Sequence, residues 1–170
     1  MRKRIRKFLV IYFILFVCLS LEAPGQVSPV QQASRLPSFD ILLTNGGSFA
    51  TSAVAKNKPL VLIYFAPGCD HCQTLMRAFF KNVQQFKNAD VLMVTFTSLK
   101  DVAQFEKTFE TAKYPNIKAG LEKRPLFLQS FYKLQNTPFT ALYDKKGQLV
   151  TSYKKEERVA DLLKAMKSLK

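Results

Sequence analysis

The chain has 170 residues, with 26 Lys and Arg residues against 12 acidic residues and a formal net charge of +14. This length suits one domain with a hydrophobic core and argues against a second full domain. Apolar residues make up 48% of the chain, which excludes wholesale disorder, and the sequence shows no collagen-like period, heptad array or solenoid repeat.

The chain begins with a basic segment followed by an apolar one. Five of the first seven residues are Lys or Arg, and residues 8–21 are apolar except for Ser20. A run of about 14 residues fits the apolar region of a signal peptide and is shorter than the roughly 20 residues of a membrane-spanning helix. Ala23 and Gly25 offer small residues for cleavage. We therefore expect residues 1–25 to be an export signal that is cleaved rather than kept as an uncleaved N-terminal anchor.

The net charge of the mature chain, after cleavage, indicates which kinds of partner it can attract. Removing five positive charges and one negative charge from the total of +14 leaves a mature chain of +10. Its basic residues are scattered rather than gathered into an arm, so no nucleic-acid partner is predicted. A basic surface attracts acidic proteins and anionic lipid, so peripheral association with a membrane is a further expectation. Residues 26–36 have low charge and no sustained period and predict a linker, which leaves 37–170 for the folded domain.

A hairpin, a buried strand and a helix are predicted first. Residues 39–44 and 48–51 flank Asn45-Gly46-Gly47, a tight-turn signal that favours a β-hairpin. Residues 60–65 form a continuous apolar run, as expected for a central strand buried on both faces. Apolar side chains then recur at helical spacing over about 72–87, so this helix is expected to pack on the sheet.

The second half of the domain repeats this alternation. Residues 91–96 form another buried run, and Ser98 followed by Asp101 resembles the capping box that begins a helix. Residues 139–143 and 148–153 flank an Asp-Lys-Lys-Gly turn and predict a hairpin, and a closing amphipathic helix follows over 159–169. The order predicts an α/β fold in which a parallel unit precedes an antiparallel hairpin.

Both cysteines of the mature chain lie in one motif, Cys69-Asp70-His71-Cys72, directly after the first buried strand. At a helix N-terminus the exposed N–H groups and the helix dipole favour a thiolate on Cys69, and Cys72, one turn inside the helix, is the natural resolving thiol. His71 lies between them, where its imidazole could stabilise that thiolate. The sequence therefore predicts a redox pair whose thiolate is tuned by His71.

Metal binding and a structural disulfide are the simpler alternatives for this motif. A closed metal site needs four ligands, but no Cys or His other than Cys69, His71 and Cys72 remains in the mature chain, so no metal and no cofactor are predicted. A disulfide across so short a loop removes little entropy from the unfolded chain, which argues against a purely structural bridge.

Together these motifs resemble the thioredoxin superfamily, in particular exported thiol-disulfide oxidoreductases of the TlpA and ResA type. The resemblance covers about residues 37–169 and implies an α/β thioredoxin-like fold, a central mixed sheet flanked by helices, with an added N-terminal β-hairpin. It rests on four segments: Leu36-Pro37-Ser38-Phe39, Phe65-Ala66-Pro67-Gly68-Cys69-Asp70-His71-Cys72, Asn136-Thr137-Pro138-Phe139-Thr140 and Asp144-Lys145-Lys146-Gly147.

The resemblance assigns roles to single residues. It implies that Cys69 attacks, that Cys72 resolves, and that the two form the active-site disulfide. It implies further that the bond before Pro138 is cis and faces this disulfide, and that Thr137 offers backbone groups to an extended substrate. A cis bond before proline costs little compared with other cis bonds, which makes this arrangement physically reasonable.

Two departures from the family pattern concern the site itself. Gly68 stands where the family usually carries Trp before the first cysteine, which predicts a more open site. Ile63 stands where thioredoxins proper carry a buried acid, so proton transfer from Cys72 needs water or another carboxylate.

The function expected from these residues is exchange of disulfides with protein thiol and disulfide substrates outside the cytoplasm. The protein is expected to be exported, either free in the periplasm or anchored to the membrane facing it, with a membrane electron-transfer partner. His before the second cysteine resembles oxidising relatives, whereas the architecture resembles reducing ones, so reduction is only slightly favoured over oxidation. A copper chaperone using both cysteines, a redox-inert thioredoxin-like binding domain and a peroxide-reducing relative are the alternatives.

Overall fold

The computed structural model describes residues 34–154 and 159–169. The predicted export signal, residues 1–25, and the first eight residues of the predicted linker lie outside them. Within the described ranges, no helix has the length and apolar character needed to cross a membrane. The last linker residues already contact the fold, because the N–H of Leu149 donates to the carbonyl of Ser34 at 2.7 Å and the N–H of Leu36 to that of Gly147 at 3.1 Å.

The described residues form seven strands and four α-helices. The strands are β1 (Asp40–Leu42), β2 (Ser48–Ala50), β3 (Leu60–Tyr64), β4 (Asp90–Thr95), β5 (Ile117–Glu122), β6 (Phe139–Tyr143) and β7 (Leu149–Tyr153). The helices are α1 (Asp70–Lys81), α2 (Leu99–Phe109), α3 (Phe127–Tyr132) and α4 (Val159–Lys167).

All seven strands belong to one mixed sheet, in the order β2-β1-β5-β4-β3-β6-β7. The central strands β3, β4 and β5 are parallel neighbours, and every other pair is antiparallel. This confirms the predicted α/β class, the parallel unit, the C-terminal hairpin β6–β7 and the N-terminal hairpin β1–β2.

The buried central strand divides the core into two layers. All five residues of β3 are buried, and alternate side chains point to opposite faces of the sheet. Val61 and Ile63 pack in the layer that also holds buried residues of α1, α2 and α4. The other layer contains Leu60, Leu62 and Tyr64, together with residues of α3 and of the N-terminal hairpin region, such as Phe39 and Ile41. The sheet therefore has helices on both faces.

The first helix ends earlier than the spacing predicts. A helix over 72–87 is expected, but α1 ends at Lys81, and a 3-10 turn, Val83–Phe86, follows. Asn82 separates the two, and its side-chain amide donates to the carbonyl of Ala78 at 2.9 Å. Val83 and Phe86 stay buried, so the apolar pattern continues across the break.

Two elements, β5 and α3, have no counterpart in the sequence prediction. The strand β5 contains Gly120, where an added Cβ would lie 2.7 Å from Ile41 Cδ1 and 2.9 Å from the carbonyl oxygen of Leu42. Gly120 is therefore required by the close approach of β1. The helix α3 has only six residues and is bounded by Leu126 and Lys133, both in the left-handed region. A helix this short gives no amphipathic period to detect.

Candidate functional site

The two cysteines lie where β3 leads into α1. The N–H of Cys69 donates to the carbonyl of Ala66 at 3.0 Å, which closes a tight turn after the strand. Cys69 is the N-cap residue of α1, and the side-chain amide of Gln73 donates to the carbonyl of Pro67 at 3.1 Å, which ties the helix to that turn. Cys69 is partly exposed and Cys72 is buried, and both are free thiols.

The surroundings of Cys69 favour its thiolate. Partial burial raises the pKa of this thiol. Hydrogen bonds from the backbone and thiol of Cys72, from the side chain of Thr137 and from the backbone of His71 outweigh burial and lower the pKa below its ordinary value. N–H groups of the first helical turn are the donors that a helix leaves without partners inside the helix. The start of α1 thus supplies part of the stabilisation.

Cys72 has the opposite electrostatics. Its side chain is only 1% exposed and belongs to the core layer of α1 and α2. Burial, together with the neighbouring Cys69 sulfur, raises the pKa of Cys72 to about 11. At neutral pH the Cys72 thiol is therefore protonated, whereas the Cys69 thiol ionises more readily than an ordinary cysteine.

The loop before β6 lies opposite the cysteines. The peptide bond between Thr137 and Pro138 is cis, as the resemblance implies. The carbonyl oxygen of Thr137 lies 3.7 Å from the Cys69 sulfur and accepts its S–H hydrogen bond. The structure therefore brings the predicted residues Cys69, Thr137 and Pro138 together.

An open cleft of about 920 Å³ extends from Cys69 between these elements. Four predicted site residues line it, Cys69, His71, Thr137 and Pro138, whereas the buried Cys72 does not. The sequence analysis did not identify the remaining lining residues, which are Tyr64, Phe96, Gln129, Leu134, Gln135, Asn136 and Lys154. Most of these come from α3 and the loop after it, the region that the sequence left without a predicted element.

A buried polar pair lies at the base of this cleft. The hydroxyl of Tyr64 donates to Glu122 Oε1 at 2.8 Å, and the N–H of Leu128 donates to Glu122 Oε2 at 3.1 Å. Glu122 is 5% exposed and is the one charged side chain buried within the described ranges. Sequence reasoning missed Glu122, although a Tyr inside the aliphatic strand β3 is itself a signal, since a buried phenol usually has a hydrogen-bond partner.

The two departures from the family pattern have physical counterparts. A Cβ built on Gly68 would meet no atom within 4 Å, so the residue before Cys69 leaves open space. Ile63 is fully buried among apolar side chains of the α1 layer, so an apolar side chain occupies the position where thioredoxins proper carry a buried acid. Among residues 34–154 and 159–169, no group of three or more His, Cys, Asp or Glu side chains is placed to hold a metal ion.

A mixed sheet flanked by helices, with two cysteines at a helix N-terminus and a cis-proline loop against the first of them, defines a protein of the thioredoxin class. The family model of the thioredoxin-like domain matches residues 50–167, and the chain belongs to that family. This confirms the resemblance to the thioredoxin superfamily. A search of curated protein sequences gives no significant match.

Solved structures of low sequence identity share the fold. A protein of Bacteroides thetaiotaomicron proposed to be a protein disulfide isomerase is 20% identical, with a TM-score of 0.66 over 81% of this chain and 88% of that one. A secreted Mycobacterium tuberculosis disulfide oxidoreductase homologous to DsbE is 13% identical, with a TM-score of 0.64 over 82% and 98%. The exposed lipoprotein thioredoxin Etrx1 of Streptococcus pneumoniae is 21% identical, with a TM-score of 0.55 over 75% and 98%.

Proposed function

We propose that this protein is an extracytoplasmic thiol-disulfide oxidoreductase that exchanges disulfides with protein substrates through Cys69 and Cys72. The observation that carries the proposal is the asymmetry of the two thiols. Cys69 is partly exposed with a lowered pKa, and Cys72 is buried with a raised one. A structural pair needs no such difference, whereas an attacking and a resolving thiol do.

The exchange runs in two steps. The Cys69 thiolate attacks one sulfur of a substrate disulfide, a mixed disulfide forms, and the other substrate sulfur leaves as a thiolate that takes a proton. The Cys72 thiol then loses its proton and attacks the Cys69 sulfur, and the first substrate sulfur leaves and is protonated. The substrate gains two electrons and two protons, and Cys69 and Cys72 become a disulfide. Oxidation of a substrate dithiol is the same sequence in reverse.

Three neighbouring residues complete the proposed site. The Thr137 carbonyl, 3.7 Å from the Cys69 sulfur, faces the place where a substrate sulfur must approach. Pro138 has no N–H, and the Thr137 backbone beside its cis bond is proposed to offer the groups that pair with an extended substrate. His71 lines the cleft and is proposed to tune the Cys69 thiolate through its imidazole.

The setting of the reaction is part of the proposal. The N-terminal segment is proposed to export the chain, and the secreted and surface-exposed relatives of the same fold agree with such a location. A membrane electron-transfer partner would restore the cysteine pair, and the basic surface would support peripheral membrane association. Reduction of substrates is slightly favoured over oxidation, on the resemblance to TlpA and ResA.

The first test is the equilibrium reduction potential of the Cys69/Cys72 pair in the full chain, measured against glutathione. A potential near about −270 mV supports a reductant, and one near about −120 mV supports a disulfide donor. The matched control is Cys72→Ser, which removes the couple and leaves Cys69 in place. A pair that does not exchange with glutathione, or with a disulfide-bonded peptide, but binds one copper(I) ion tightly would contradict the proposal in favour of a copper chaperone.

The second test measures each thiol by its alkylation rate as a function of pH, with the modified peptides separated by mass spectrometry. Iodoacetamide reacts with thiolates, so the rate at each cysteine rises with pH and levels off above its pKa. Because the pKa of Cys69 is lowered and that of Cys72 is raised to about 11, Cys69 should reach its plateau first, at lower pH than an ordinary cysteine. An unchanged Cys69 profile in His71→Ala would remove the tuning role of the imidazole.

A further inference from the structure

We propose that Glu122 and Tyr64 form a buried clamp that holds the two walls of the cleft beside Cys69 at the spacing required by polypeptide substrates. Neither residue touches the reacting sulfurs, so both are positioning residues. The inference rests on the proposed function and names the part of the site that selects a polypeptide over a small disulfide.

The geometry of Glu122 is specific. A buried carboxylate is costly unless its oxygens accept hydrogen bonds. Each oxygen of Glu122 accepts one, from the Tyr64 hydroxyl at 2.8 Å and from the Leu128 N–H at 3.1 Å. Tyr64 is only 1% exposed, so its hydroxyl serves this contact and is not offered to a substrate.

The first donor belongs to the wall that carries the nucleophile. Tyr64 is the last residue of β3, and the turn to Cys69 follows it directly. Tyr64 also pairs across the sheet with Phe139, the residue after Pro138. Its ring lies at the base of the cleft and is 5.3 Å, centre to centre, from that of Phe96, which also lines the cleft.

The second donor belongs to the opposite wall. Leu128 lies in the first turn of α3, and Gln129, the next residue, lines the cleft. The N–H of Leu134 donates to the carbonyl of Gln129 at 2.9 Å, so the loop that leads to Thr137 is anchored on this helix. Glu122 therefore bridges β3 and α3, and through them the Cys69 turn and the Thr137 loop.

The far end of α3 provides an internal comparison. There the hydroxyls of Tyr132 and Tyr143 form a hydrogen bond that ties the helix to β6. Neither tyrosine lines the cleft. One end of the helix is thus fixed beside the substrate path, and the other is fixed away from it.

Loosening the two ends of α3 should have different effects on the kinetics of substrate reduction. A small disulfide such as oxidised glutathione needs access to the Cys69 sulfur alone, whereas an extended peptide must also fit between the walls. Loosening the clamp should therefore raise KM for a peptide and leave the step at sulfur unchanged. Loosening the far end of α3 should alter neither the peptide KM nor the step at sulfur.

The experiment compares the reduced full chain with three variants, Tyr64→Phe, Glu122→Gln and the control Tyr143→Phe. The substrates are oxidised glutathione and a ten-residue unstructured peptide with one internal disulfide. For Tyr64→Phe we expect the peptide KM to rise about three- to tenfold, the range that one hydrogen bond of typical net strength produces. We expect an unchanged peptide kcat and an unchanged rate with glutathione disulfide.

The other two variants distinguish an effect on the position of the cleft walls from an effect on the stability of the fold. In Glu122→Gln the amide oxygen accepts from Leu128 and the amide nitrogen donates to the Tyr64 oxygen, so the peptide KM should stay near that of the parent chain. Tyr143→Phe removes an equally buried hydroxyl from β6 and with it the hydrogen bond to the far end of α3, so thermal unfolding should come earlier while KM stays unchanged.

Each outcome decides a separate claim. If the parent chain reduces neither substrate, the proposed function fails before the clamp is reached. If the parent chain is active and Tyr64→Phe slows both substrates equally, or leaves the peptide KM unchanged, the clamp is wrong. A peptide KM that rises equally in Tyr143→Phe also contradicts it, because the effect then follows loss of stability rather than the Glu122 bridge.

Discussion

The two faces of the sheet are built from different chemistry. On the face that packs α1, α2 and α4, the buried side chains are mostly apolar, with the thiol of Cys72 and the small hydroxyls of Thr95 and Thr140 among them. On the face that packs α3, hydroxyls and a carboxylate lie among the apolar side chains, in the pairs Tyr64–Glu122 and Tyr132–Tyr143. Apolar packing is non-directional, whereas hydrogen bonds fix distances and angles. We therefore expect the first face to supply the larger part of the stability, and the hydrogen bonds of the second to fix the position of a short helix.

The candidate site lies between these two faces. Cys72 belongs to the apolar cluster of α1, and Cys69 packs against its margin. The cleft opens instead on the side of α3, with Tyr64 at its base. The sulfurs are thus held by the stable face, while the substrate path depends on the hydrogen-bonded one. The following predictions test this division.

The largest effect is expected from Phe79→Ala on the apolar face. Phe79 is fully buried, and its ring stacks on Phe86 with centroids 4.4 Å apart. Truncation removes apolar burial and leaves a cavity, so the free energy of unfolding should fall by about 3–5 kcal/mol. Equilibrium denaturation in urea measures this loss in the free energy of unfolding. A loss of about 1 kcal/mol or less would contradict the claim that this face carries most of the stability.

A smaller effect is expected from Tyr143→Phe on the hydrogen-bonded face. The phenyl ring keeps its burial, and only the contact with the Tyr132 hydroxyl disappears. The remaining hydroxyl, on the partly buried Tyr132, loses that partner, so the free energy of unfolding should fall by about 0.5–1.5 kcal/mol, the net strength of a typical hydrogen bond. The same urea titration applies. A loss as large as that of Phe79→Ala would mean that the two faces do not differ in the way described.

The helices of the apolar face could be predicted from the sequence, whereas β5 and the short helix α3 on the other face could not. Continuous apolar runs over β3 and β4, and helical spacing in α1, α2 and α4, are strong periodic signals. The apolar pattern of β5 is broken by Gly120, whose role depends on Ile41 some eighty residues earlier in the chain. Local pattern contains no information about such a contact, and six residues of α3 are too few to show a period.

The candidate site divides in the same way. Cys69, His71 and Cys72 could be identified because they are consecutive in a motif with its own chemistry, and Pro138 through a family resemblance. Glu122 could not, since its importance comes from Tyr64 and Leu128, which the fold brings to it from two other elements. A polar side chain that acts through distant partners has no local signature.

The smallest effect is expected at the rim, where neither face packs, from Gly68→Ala. A Cβ at Gly68 meets no atom within 4 Å, and its φ lies outside the left-handed region. Alanine also restricts the unfolded chain more than glycine does, so the free energy of unfolding should stay unchanged or rise by up to about 1 kcal/mol. Gly120→Ala is the matched control, because its Cβ would meet the Leu42 carbonyl at 2.9 Å and should destabilise the chain. If Gly68→Ala destabilised the protein as much as Gly120→Ala, the rim would be packed rather than open, and Gly68 would not explain an accessible Cys69.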